Sequence, residues 1–206
     1  MQQQTVPLPL SHMKNALYLF LILFLFSLSA CKTDYANLPT YSANKQLQAV
    51  IENPAGTNHK LRYDRTTKEF VNAKEAGRDR VIGFLPFPGN YGFIPSTEVG
   101  GNGDPLEVLV IAEAVETGTV MEIVPLGVLH LDIEGELEPK IIAVPARPSE
   151  QLISATDYAA LSTQYPAVKE ILEKWFLHHT PTRHARFAGW RDERFADNLV
   201  QRWMKL

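Results

Sequence analysis

Phe87-Pro-Gly-Asn-Tyr-Gly-Phe-Ile94, followed six residues later by Gly101-Asn-Gly-Asp-Pro-Leu-Glu-Val-Leu-Val110, is the stretch on which the reading turns. Its second half is a Gly-rich turn that sets Asn102, Asp104 and Glu107 at the head of an apolar, β-branched run. A run of that kind is expected to form a buried strand. Oxygen side chains converging from a turn suit a hard cation such as Mg²⁺, which prefers carboxylates and retains some of its waters. The same residues also read as an ordinary acidic turn. Spacing alone leaves both open.

Outward from this stretch, residues 46–145 alternate short β-like runs with turn residues. Val50-Ile51, Lys60–Tyr63 and Phe70-Val71 are strand fragments, and Leu106–Ile111, Val120–Val124, Val128–Leu131 and Ile141–Val144 are clearer strands. Their spacing of about ten to fifteen residues, without helices between, predicts antiparallel β structure in a barrel or sandwich. The last third changes character. Pro166–Leu177 sets Val168, Ile171, Leu172, Trp175 and Phe176 on one helical face, with Pro166 suited to a first turn. Arg194–Leu206 repeats the pattern with Phe195, Leu199 and Trp203. These aromatics read as core, so the expectation is a β core with C-terminal helices packed on it.

Composition narrows the function classes. The 206 residues include 20 Lys+Arg, 23 Asp+Glu and one Cys, and a formal net charge of −3 argues against a nucleic-acid partner, which needs a basic face. A single Cys excludes an internal disulfide or a thiolate metal cluster. That Cys closes an unusual segment. Residues 1–30 hold Lys14, no acid, and the uncharged apolar run Ala16–Ala30, the length of a signal-peptide core. Leu28-Ser29-Ala30-Cys31 resembles a bacterial lipobox, in which the Cys is acylated. The expected organisation is a signal peptide over 1–30, a lipidated Cys31 with a polar linker through 45, and a folded domain over 46–206. The expected location is a membrane anchored by lipid and facing outside the cytoplasm, or the cytoplasm if the signal is not used.

The combination of FPGNYGF and GDPLEVLV resembles the signature region of the soluble family I inorganic pyrophosphatases. Glu52-Asn-Pro, Leu126-Gly-Val-Leu, Glu138-Pro-Lys-Ile-Ile-Ala-Val144, Trp175-Phe and Gly189-Trp190 extend the resemblance over residues 48–205. It implies a mainly β fold, a closed five-stranded barrel of the oligonucleotide-binding type with flanking helices. It also implies Mg²⁺-dependent hydrolysis of pyrophosphate to two phosphates. Carried over by position, Asp104 orients and deprotonates the attacking water. Glu52, Asn102, Asp104, Glu107 and Glu138 stand at metal positions. Lys60, Arg80, Tyr91 and Lys140 stand at phosphate positions, with Arg78 the competitor of Arg80.

The pattern is broken in several places. Asn102 replaces an acid, Arg62 stands where a Glu is expected, and Phe87 replaces a tyrosine. His179-Thr180 replaces a Tyr-Lys pair. A further metal aspartate falls on Ile133 in the ungapped match, so Asp132 or Glu134 serves only if the loop shifts by one. His178, His179 and His184 read either as a transition-metal run or as exposed imidazoles at a helix end. Three function classes follow: a tethered pyrophosphatase, a hydrolase of another phosphorylated substrate on the same scaffold, or a catalytically impaired binding lipoprotein. Oligomeric state, including a homo-oligomer, is left open.

Overall fold

The computed structural model describes residues 32–101, 103–180 and 184–205. Residues 1–31, where a signal peptide and a lipidated Cys31 are expected, and Asn102 lie outside them. The chain divides into two units, Met1–Thr33 and Asp34–Leu206, and the second is the folded domain.

Among the described residues, ten strands and three α-helices follow in order: β1 (Leu47–Asn53), β2 (Leu61–Asp64), β3 (Glu69–Asn72), β4 (Lys74–Glu75), β5 (Arg78–Asp79), β6 (Asn90–Phe93), β7 (Glu107–Val110), β8 (Val120–Ile133), β9 (Glu136–Pro145), α1 (Tyr158–Gln164), α2 (Pro166–His178), β10 (Ala185–Arg191) and α3 (Glu193–Trp203). Five strands close a ring. β1 pairs with β6, β6 with β7, β7 with β9, β9 with β8, and β8 returns to β1 through Leu47–Val50 against Val120–Ile123. The expected five-stranded closed β architecture with C-terminal helices is therefore present. β10 adds an outer strand to β8. The hairpins β2–β3 and β4–β5 stand outside the ring.

The continuous apolar runs have a physical cause. β7 and β9 are a parallel pair, Glu107 opposite Lys140 through Val110 opposite Ala143. They are buried on both faces, so alternation disappears. Ile51, Val108, Val110, Ile123, Ile141 and Ala143 pack with Ala196, Leu199 and Val200 of α3. Leu109, Leu129, Leu131, Ile142 and Val144 pack instead with Leu172, Trp175 and Phe176 of α2. Helix starts follow the chain's own chemistry: Asp157 and Asp192 accept from Ala160 N and Phe195 N as N-caps, and Pro166 opens α2.

Two features of Asn90-Tyr-Gly92 are architectural. Asn90 is fully buried; its Oδ1 accepts from the backbone N–H groups of Ala55 and Val115, and its Nδ2 donates to the carbonyl of Glu113. Gly92 lies where a Cβ would stand 1.9 Å from the Val50 carbonyl oxygen, so no side chain fits there.

Three sequence expectations need correction. The polar stretch 34–45 is not a free linker. Tyr35 packs edge-on against Tyr63 at 5.5 Å and against Phe70 at 5.1 Å, Ala36 is buried, and the buried Thr40 hydroxyl donates to Pro95 O. The two runs Val120–Val124 and Val128–Leu131 are one bent strand, β8, with a register irregularity between Pro125 and Gly127. β10 and α1 were not anticipated, because Ala-Arg-Phe-Ala-Gly-Trp-Arg alternates weakly and α1 spans only seven residues.

Candidate active site

Two adjoining cavities open where the β7 and β9 chain starts, the β2 hairpin and the Gly-rich turn meet. The larger, of about 420 Å³, is lined by Glu52, Lys60, Asp104, Glu107, Glu138 and Lys140, among others. The smaller, of about 140 Å³, shares Lys60, Glu107, Glu138 and Lys140 and adds Arg80, Tyr91, His179 and Thr180. Eight residues anticipated as site residues (Glu52, Lys60, Arg80, Tyr91, Asp104, Glu107, Glu138 and Lys140) thus come together in space, although the chain separates the outermost by 88 positions.

Register places the central ions. Glu107 opens β7 and lies directly beside Lys140 on the parallel β9, so a carboxylate and an ammonium share one rung. The Lys140 Nζ bonds Glu107 Oε2 and, at 2.9 Å, Glu138 Oε2; Lys60 Nζ lies 3.8 Å from Glu107 Oε1. Burial by itself would raise the Glu107 carboxyl, but the Lys140 and Lys60 charges outweigh it and hold the group well below the usual range. Burial likewise opposes the Lys140 charge, and Glu107 and Glu138 overcome it and raise its pKa. Lys60 is the reverse: burial dominates and lowers it.

Glu52 sits on β1, with Oε1 accepting the Tyr63 N–H at 2.6 Å. Burial pushes its carboxyl up to about 7. Tyr91 stacks on Phe87 at 5.5 Å and carries Lys60 Nζ 4.9 Å above its ring. Burial and the facing Glu107 raise the Tyr91 phenol well above its ordinary value, so it stays protonated. Phe87 also contacts Trp175 at 5.2 Å. The missing hydroxyl at Phe87 is therefore replaced by an aromatic column. Arg80 donates to the buried Thr180 hydroxyl, whereas Arg78 lies on the exposed β4–β5 hairpin. Arg80 is the arginine that the fold delivers.

Asp132 is not brought to the site. Along β8, Leu131 and Ile133 turn inward and line the smaller cavity, so the alternation of the strand directs Asp132 away. It accepts from Gly135 N at 2.9 Å and pairs with Arg186 at 3.1 Å. Glu134 is exposed in the hairpin turn at φ 57°. Neither carboxylate stands in for the one missing at Ile133. The histidine run is also dispersed: His179 stacks on Trp175 at 4.4 Å, while His178 and His184 are exposed. Burial lowers the His179 pKa to about 4, helped by Lys60, Arg80 and Lys140.

Among the described residues no three His, Cys, Asp or Glu side chains already converge as a closed metal cage. Mg²⁺ does not need one, since it is commonly held by one or two carboxylates plus waters and substrate phosphates. Five carboxylates line the larger cavity, two of them paired with Lys140, and they supply that donor chemistry. The residues present fit a hard divalent cation.

Some lining residues escaped the sequence reading. Arg65 reaches the larger cavity from the β2–β3 turn, and Glu136 and Leu137 from the start of β9. Nothing in their spacing signals this, because only the chain's return brings them to the cavity.

The family model for inorganic pyrophosphatases matches residues 49–206. The inorganic pyrophosphatase of Aeropyrum pernix is 32% identical over 172 residues, covering 80% of this chain and 91% of the relative. That of Sulfolobus acidocaldarius is 33% identical over 169 residues, covering 79% and 92%. The crystal structure of inorganic pyrophosphatase from Thermus thermophilus superimposes with a TM-score of 0.70 at 28% identity, covering 82% of this chain and 95% of that one.

Proposed function

The chain belongs to the inorganic pyrophosphatase family and is a Mg²⁺-dependent hydrolase of pyrophosphate; we propose that Asp104 is its general base and that the two adjoining cavities divide the work. The observation that carries this reading is the one cavity that Glu52, Asp104, Glu107 and Glu138 line together with Lys60 and Lys140. Glu52, Asp104, Glu107 and Glu138 would hold the cation, which when bound neutralises substrate charge and makes a coordinated water easier to deprotonate. Asp104, exposed at the lip of the turn, accepts the proton of the attacking water. Lys60, Arg80 and Lys140 hold the non-reacting phosphate oxygens, so that most of the rate comes from positioning and electrostatics. The Tyr91 phenol, kept protonated by its surroundings, donates to the phosphate end.

Phosphate release from pyrophosphate by the full chain, with Mg²⁺ and with chelator, tests the activity. Asp104→Asn is expected to fold normally and to lose roughly 10²–10⁴ in turnover, the range of a positioned base. Wild-type turnover in Asp104→Asn refutes the assignment.

We also propose that residues 1–30 direct export and that Cys31 is acylated, which would tether the hydrolase to a membrane outside the cytoplasm. Support comes from the uncharged run ending in Leu28-Ser29-Ala30-Cys31, with the chain's single Cys at the cleavage point. Labelled fatty acid should enter the wild type and not Cys31→Ser; equal labelling of both rejects the anchor.

A further inference from the structure

The two cavities meet at Lys60, Glu107, Glu138 and Lys140, but they differ in extent. The smaller is closed by Arg80, Tyr91 and Thr180. The larger extends beyond the shared residues and is lined there by Arg62 and Arg65, among others. At about 420 Å³ it belongs to the size range of sites for whole small molecules, about 300–1,000 Å³.

Side-chain partners separate these two arginines from the other cations lining the two cavities. Lys140 is held by Glu107 and Glu138, Lys60 by Glu107, and Arg80 by the Thr180 hydroxyl. Among the described residues neither Arg62 nor Arg65 lies within ion-pair distance of a carboxylate. Their charges reach Glu52 and Asp64, and Glu98, only through space. Exposed arginines are ordinarily just solvated. These two differ because their backbone is fixed and they stand on the wall of the reaction cavity. Leu61 N donates to Asn53 Oδ1 and Tyr63 N to Glu52 Oε1, each at 2.6 Å, which clamps the residues on both sides of Arg62 to β1. Tyr63 is further wedged between Tyr35, Phe70 and Phe93. The turn carrying Arg65 is fixed by Asp64 Oδ1, which accepts from Thr66 N and Thr67 N at 2.8 and 3.0 Å. Guanidinium groups on a rigid frame bind phosphate oxygens in a bidentate fork.

We propose that Arg62 and Arg65 form a distal anion subsite for a third phosphoryl group, so that the site also hydrolyses linear inorganic triphosphate. The inference rests on the pyrophosphatase reading of the shared carboxylates and lysines. The chain would lie with its reacting P–O–P link at Glu107, Glu138 and Lys140 and its far phosphoryl on the two arginines. Water attacks phosphorus, the P–O–P bond breaks and the bridging oxygen leaves with the other fragment: P₃O₁₀⁵⁻ + H₂O gives HP₂O₇³⁻ + HPO₄²⁻. Of the two water protons, one stays on the new phosphate. The other passes through Asp104 to the departing pyrophosphate. That pyrophosphate is the substrate of the same site.

The experiment compares pyrophosphate and inorganic triphosphate on the full chain with Mg²⁺, for wild type, Arg62→Ala, Arg65→Ala and the double variant. Loss of a charge-assisted phosphate contact is expected to raise KM for triphosphate about tenfold per arginine, while pyrophosphate kinetics change by less than about threefold. Equal losses on both substrates, or a wild type that cleaves pyrophosphate and not triphosphate, overturns the proposal while leaving the pyrophosphatase reading intact. Failure to cleave pyrophosphate at all instead defeats that reading. Calorimetric binding of both anions to Asp104→Asn gives a measure independent of turnover: triphosphate must bind more tightly, and the double variant must erase the difference. A nucleoside triphosphate run in parallel tells a free chain from an esterified one, and arginine-dependent turnover of either supports the subsite.

Discussion

Lys140→Met isolates the central ion cluster. The Lys140 side chain is 8% exposed, and its two partners, Glu107 and Glu138, are 33% and 30% exposed. Removing one partner of a buried ion pair costs about 3–5 kcal/mol, because the surviving charge is left without compensation. Here water reaches about a third of each carboxylate, and Lys60 still faces Glu107 at 3.8 Å. A loss of about 2 kcal/mol in the metal-free protein is therefore expected. For a domain of this size that lowers Tm by about 4–8 °C. A bound cation supplies the charge that the lysine no longer does, so saturating Mg²⁺ should recover much of the loss and stabilise the variant more than the wild type. The assay is urea or thermal unfolding of both proteins in chelator and in Mg²⁺, with turnover recorded alongside. Turnover should fall by about 10²-fold or more, as for other lost electrostatic contacts to a developing charge. An equal stability loss in chelator and in Mg²⁺ would show that Glu107 and Glu138 do not hold the ion. No loss in either would show that the buried ion cluster contributes nothing to the fold.

Other consequences are checked more briefly. His179 has a folded pKa of about 4 against 6.5, so its neutral form contributes stability above pH 6.5 that is lost as pH falls toward 4. His179→Gln should flatten the fall in Tm between pH 6.5 and 4; an unchanged profile rejects a buried neutral imidazole. Gly92→Ala would put a methyl 1.9 Å from the Val50 carbonyl oxygen and force β1 and β6 apart, with a cost of about 3 kcal/mol or more, visible as loss of soluble protein or a lowered Tm. Normal stability in that variant contradicts the strand packing. Asn102→Asp adds a carboxylate to the Gly-rich turn, and since neither Asp132 nor Glu134 reaches the cavity, the Mg²⁺ required for half-maximal activity should fall several-fold. A Mg²⁺ titration showing an equal or higher requirement refutes a weakened metal position at residue 102.

Most of the anticipated residues that line the two cavities were legible from short motifs because they sit on local turns and strand starts. Asp104 and Glu107 stand three apart, and Glu138 and Lys140 two apart, so each pair keeps its geometry through local backbone alone. The Arg78–Arg80 ambiguity had no local solution. The β4–β5 hairpin ends at Asp79 and brings Arg80, not Arg78, to the smaller cavity beside Thr180, a hundred residues away. Asp132 was misplaced for the same reason: a one-residue change in register along a strand exchanges the faces, and β8 turns Ile133 inward.

Sequence by itself determined the β character of residues 46–145, the two long C-terminal helices and the acidic turn. Periodicity, turn chemistry and motif spacing act over a few residues, so they survive without a three-dimensional context. Only the tertiary structure decided that the ring closes β8 onto β1, and that Glu107 and Lys140 share a rung. It also revealed that the polar segment after residue 33 packs against Tyr63 and Phe70, and that Arg62 and Arg65 lie on the cavity wall. Those relations join residues dozens of positions apart. They are set by strand register and by the burial of both sheet faces, which no local window of the chain contains.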